Sequence, residues 1–153
     1  MRYAGRTIAA AALAGGATAA VALFSAYRLT DAPIRGRLGG PDPLGSIASL
    51  VAAVIAIAAF YALGRSVAAD APSARPAIVS GVLGGALAGA IASGAQSFAL
   101  SDYLTAVLAG YAVPPAFLAI ALGAYVILAT LAASALAGAI TYAGWYQRRP
   151  RTG

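Results

Sequence analysis

The sequence predicts an all-α, polytopic membrane protein: four transmembrane helices, with a short interfacial helix between the third and fourth. Three observations predict it. Hydrophobic residues make up 61% of the chain and charged residues 9%, whereas a soluble domain carries roughly 25% charged residues. The apolar residues gather into four runs free of formal charge. Each run is long enough to cross a hydrocarbon core about 30 Å thick at about 1.5 Å per residue. Arginines and prolines stand between the runs. Backbone groups in lipid must find partners within the segment, which favours helices. Barrel strands would need a polar residue at every second position, and these runs lack that alternation.

The first span is expected over residues 7–27. A basic start followed by an apolar run also fits a cleaved signal peptide. The run is long for a signal core and no small-x-small site closes it, so a retained anchor is the preferred reading. The second span is expected over 45–64, after a connector with three prolines, Pro33, Pro41 and Pro43. The third covers 77–100 and the fourth 116–146, all within a single transmembrane domain over 1–153. At 31 residues the fourth run would be about 46 Å long, so it should tilt or extend beyond the core at Trp145–Tyr146. The apolar connector before it, from Ser101 to Pro115, reads as a short helix lying in the interface. Ser101 or Asp102 would cap it, and Pro114–Pro115 would stop it. A kinked continuation of the third helix is the alternative.

Arginine counting sets the expected orientation. Arg2, Arg6, Arg65, Arg75, Arg148, Arg149 and Arg151 fall on one side of a four-span topology, against Arg28, Arg35 and Arg37 on the other. The richer side should be cytoplasmic, which puts both termini there. The expected location is a prokaryotic plasma membrane. The chain has no native cysteine, so single substitutions test this directly. A thiol reagent confined to the cytoplasmic face should label Ser73→Cys and miss Gly39→Cys; the reverse pattern would invert the topology.

The third span carries a ridge of small residues. Gly81, Gly85, Gly89, Ser93 and Ser97 recur every four positions, which places them along one helix stripe. Such a stripe lets another backbone approach closely. Ala11, Gly15 and Ala19 make a similar stripe on the first helix, and Ala129, Ala133 and Ala137 on the fourth. Small residues on several helices predict tight packing with little internal cavity. Two glycine-containing stretches, at Gly15 and Gly84, are each followed by a similar tripeptide, ending at Asp31 and Asp102. That hints at a parallel duplication of helix pairs.

Polar residues near the spans are few. Gln96 is the one amide within a predicted span, expected to bond to a neighbouring helix or to orient a polar solute. Asp31, Asp102 and Tyr103 fall near the far ends of odd-numbered helices and complete the candidate polar lining. Turn chemistry explains Asp31 and helix capping Asp102. The chain has no Cys, His, Lys, Glu or Asn. That removes thiol chemistry, histidine ligation of zinc or haem, and the usual bases of a membrane protease. No carboxylate lies inside a span, where a proton-coupled exporter would want one. The net charge of +6 comes from arginines that flank apolar runs, so it reads as a topology signal rather than a nucleic-acid footprint.

These residues imply no catalytic site, no metal and no cofactor. The expected role is non-enzymatic and rests on helix–helix assembly, as a homo-oligomer or an accessory subunit of a membrane complex. The expected partners are the lipid bilayer, further copies of the chain or other membrane subunits, and not nucleic acid. A small channel or transporter is the first alternative, a phage-type membrane-permeabilising protein the second, and an enzyme built on Asp31 and Asp102 a distant third.

Overall fold

The computed structural model describes residues 3–30, 43–111 and 113–148. The described residues outside short turns are helical. The four helices are α1 (Ala4–Thr30), α2 (Pro43–Ala68), α3 (Arg75–Ala109) and α4 (Pro115–Arg148). All four are long and apolar enough to cross a membrane. Prolines stand at the start of three of them, Pro43, Pro76 and Pro115, where a missing N–H costs nothing and the fixed φ suits the first turn.

The separate interfacial helix is not formed. α3 runs unbroken through Ser101 and Asp102 to Ala109, 35 residues in all. That is about 52 Å of helix, longer than the hydrocarbon core. The side chains expected to cap a new helix instead support the existing one. The Ser101 hydroxyl donates to the Phe98 carbonyl at 2.9 Å, and Thr105 donates to the Ser101 carbonyl at 2.7 Å. Such back-bonding satisfies a hydroxyl without leaving the helix.

Around the bundle the helices follow the order α1, α3, α4, α2. α3 packs most extensively on α4, then on α1, while α2 bridges α1 and α4. α1 and α4 are out of contact, and α2 meets α3 only lightly across the diagonal. The two helix hairpins therefore lie side by side, α1 beside α3 and α2 beside α4. A two-fold axis along the membrane normal would exchange the pairs diagonally, so the hinted duplication could only be a translational stack.

Side-chain size is sorted opposite to the pattern of a water-soluble bundle. The buried apolar set is mainly alanine, with Phe60, Leu63, Val67 and Trp145 as its large members. The large aliphatic and aromatic residues point out: Phe98 is 81% exposed, Ile120 71% and Leu128 66%. In water such a surface would aggregate; against acyl chains it costs nothing. Helices in lipid associate through close backbone contact, which small interior residues permit.

One end of the bundle holds both described termini and the α2–α3 connector, and polar contacts gather there. Arg6 pairs with Asp70 at 2.8 Å and donates to the Ser66 carbonyl at 3.2 Å. Tyr61 donates to the Gln147 side-chain oxygen. Arg148 donates to the Arg65 carbonyl at 3.4 Å. The Trp145 indole N–H reaches the Ala71 carbonyl at 3.2 Å. The Arg6–Asp70 pair is solvent-exposed and contributes little stability; it ties α1 to the connector.

Candidate binding cavity

The ridge of α3 is occupied from within the chain. A Cβ on Gly85 would stand 2.6 Å from the Ala133 carbonyl and from the Ala137 Cβ. One on Gly81 would stand 2.6 Å from the Thr141 hydroxyl, and one on Gly89 2.8 Å from the Ala133 Cβ. The expected stripe of α4 is thus the ridge's partner, and no second copy could dock on this face without displacing α4. Ser93 is buried and donates to the Gly89 carbonyl at 2.6 Å. The Ser97 hydroxyl is buried without a partner among the described residues. A second side of α3 meets α1: a Cβ on Gly15 would stand 3.0 Å from the Ala88 Cα.

The closest seam in the fold is one that sequence reasoning missed. A Cβ on Gly64 of α2 would overlap the Thr141 carbonyl of α4, and one on Gly144 would overlap the Tyr61 carbonyl. Each glycine thus receives the other helix's backbone. In sequence both look like punctuation at the end of an apolar run. The usable signal was the continuation of the α4 stripe from Ala133 and Ala137 through Thr141 to Gly144 at helical spacing. Thr141 is fully buried, and its hydroxyl, which faces Gly81, has no hydrogen-bond partner among the described residues.

Tight seams between neighbouring helices do not fill the middle of the ring. All four helices line a groove of about 440 Å³, which is open along the side where Ala53, Ile57, Tyr125 and Leu136 are exposed. Its origin lies on the α2–α3 diagonal. Phe60 fills that space at one level, with its ring against Gly84. One and two turns farther along, α2 offers Ala56 and Ala53 beside the exposed Ile57, and α3 offers Ala88 and Ala92. Small side chains bring adjacent backbones together but cannot span a diagonal. The rest of the lining includes Ala14 of α1 and Ala129, Ala133 and Leu136 of α4.

The cavity has one polar end. Among the described residues, Gln96, Tyr125, Thr18 and Ser93 are its only lining residues with polar side chains, and none of the lining residues is charged. The Tyr125 hydroxyl donates to Gln96 Oε1 at 2.6 Å, joining α4 to α3. The Thr18 hydroxyl is spent on the Ala14 carbonyl at 2.8 Å, and Ser93 on Gly89. Among the described residues, no hydrogen bond occupies Gln96 Nε2. Gln96 and Thr18 also line a smaller cavity of about 180 Å³, with Ser25 and Ser49, on the side away from the termini. The amide thus stands between a large apolar space and a small, more polar one.

The other sequence candidates lie apart. Asp102 is exposed and Tyr103 half-buried on the last turns of α3, and neither lines these two cavities. Asp31 lies outside the described residues. Among the described residues no three His, Cys, Asp or Glu side chains come together. No protein-family model matches the chain, and no curated protein or solved structure matches it.

Proposed function

We propose that the chain is a non-enzymatic integral membrane protein that binds a small apolar molecule within the bilayer, closer to a small carrier than to a structural spacer. One observation carries this reading: all four helices contribute to a single cavity of about 440 Å³, a size typical of ligand sites. In a bilayer the open apolar side of the groove would face acyl chains, which makes water a poor occupant there. Hydrocarbon is the natural filling. The arginine distribution supports insertion with both termini on the cytoplasmic side.

A long-chain alkane bearing a photoactivatable diazirine tests the reading in reconstituted vesicles. Crosslinks should concentrate on cavity-lining peptides around Ala53–Phe60 and Ala88–Gln96, above the level on exposed Leu83 and Leu128. Ala92→Phe places a ring in the cavity and should reduce the lining crosslinks by about tenfold while leaving exposed positions unchanged. Crosslinks spread only over the exposed positions would refute the reading.

Association with another copy or a larger membrane complex is a second reading, favoured by one observation. Gly16 on α1 has nothing within 4 Å of the place its Cβ would take, and it lies between exposed Ala12 and Ala20. This small-residue face is open where the α3 ridge is filled.

A further inference from the structure

We infer that the cavity selects a neutral amphiphile, with a hydrogen-bond-accepting head such as an ester, ketone or alcohol at Gln96 and its hydrocarbon chain directed toward Phe60. The inference deepens the binding reading above and rests on it.

Toward the termini the cavity is closed by Phe60 and by the alanines and glycines of the α3–α4 seam, which offer only hydrocarbon. At the other end the polar groups are already partly committed. Thr18 and Ser93 donate to their own helices, and Tyr125 donates to Gln96. What remains unspent among the described residues is the donor pair of Gln96 Nε2, held in place because the same amide's oxygen is fixed by Tyr125. Gln96 is half-buried, and a donor that faces acyl chains rather than water gains from an acceptor brought to it. The matching ligand group is a carbonyl, ester or hydroxyl oxygen.

Charge decides the rest of the class. Among the described residues no Arg or Asp lines either cavity, so an ionised carboxylate or ammonium head would meet no counter-ion from them, at heavy cost in an apolar setting. The smaller cavity continues beyond Gln96, past Ser25 and Ser49, and gives room for the part of a head that extends past its acceptor atom.

Three photoactivatable probes of equal chain length separate the outcomes in phosphatidylcholine vesicles: a methyl ester, an alkane and a carboxylate at pH 8. The ester should crosslink the Ala88–Gln96 peptide about fivefold more than the alkane, the effect of one hydrogen bond, and the carboxylate should crosslink least. Gln96→Met keeps the length of the side chain, removes the donor and should bring the ester down to the alkane level. Tyr125→Phe keeps the donor and should retain most of the ester preference. Equal labelling by ester and alkane in the unmodified protein would overturn the head-group assignment while leaving the cavity as a binding site. Loss of the preference in Tyr125→Phe but not in Gln96→Met would overturn it by moving the head to the hydroxyl. Absence of lining crosslinks with all three probes would overturn the assignment together with the binding reading beneath it.

Discussion

Gly64→Ala is expected to lower stability by upwards of about 3 kcal/mol, a large cost for a single methyl group. The added Cβ would overlap the Thr141 carbonyl oxygen and crowd the Thr141 carbonyl carbon and the Trp145 nitrogen. All three are backbone atoms of α4, so no side chain can rotate out of the way. α2 and α4 must separate along the seam, and the reciprocal contact of Gly144 with Tyr61 goes with it. So do the bonds that bridge the same two helices, Tyr61 to Gln147 and Arg148 to Arg65. The measurement is a melting or denaturant midpoint in detergent micelles or bilayer discs. Gly16→Ala and Gly94→Ala are the matched controls, since nothing lies within 4 Å of either Cβ position. Both should match the parent or gain up to about 1 kcal/mol from the better helix former. A Gly64→Ala midpoint equal to these controls would mean that α2 and α4 do not meet here. Gly16→Leu, which adds bulk only on an open face, should also leave the fold intact. Loss of a higher oligomer in that variant is what the assembly reading requires.

The helical class and the number of apolar segments were legible because they follow from short-range facts. Charge-free runs of sufficient length, and prolines between them, do not depend on how helices are arranged. The extent of α3 was not legible for a chemical reason. Ser101 can cap a new helix or bond back to Phe98, and only the following backbone geometry distinguishes the two. The ridge of Gly81, Gly85 and Gly89 could be seen as a stripe, because spacing by four is a property of one helix. Its partner could not, since the ring order α1, α3, α4, α2 is a property of all four. The same order explains the cavity. Local reading of small residues predicts close contact everywhere, and it holds between neighbours such as Gly85 and Ala133. It fails across the α2–α3 diagonal, where Ala53 and Ala56 face a gap that Phe60 fills only one turn away. Gln96 stood out in sequence as an isolated amide. Its position at the mouth of that gap came only from the packing.

Trp145→Ala is expected to be the most damaging change outside the glycine seams, at about 3–5 kcal/mol, the usual cost of emptying a buried tryptophan site. Trp145 is 6% exposed although it lies in the last turns of α4, near the end of the bundle. Its ring stacks near Tyr142 with centroids 6.1 Å apart, and its indole N–H holds the Ala71 carbonyl of the α2–α3 connector. The residue therefore does two separable things: it fills buried space near the end of α4, and it fixes the connector. Trp145→Phe separates them. It keeps an aromatic ring beside Tyr142 and removes the N–H, so its global cost should be about 1 kcal/mol. Its local effect should be larger, with amide exchange rising at Asp70 and Ala71, while the Gly81–Ala137 contact region stays protected. Because Trp145 is the single tryptophan of the chain, its fluorescence in the unmodified protein reports this site directly. The emission should be blue-shifted in the folded state and move red on unfolding. A Trp145→Phe variant with unchanged exchange at the connector would show that the indole bond to Ala71 does not hold it. The connector would then be held by the Arg6–Asp70 pair and by the bonds of the Asp70 and Ala71 N–H groups to the Val67 carbonyl.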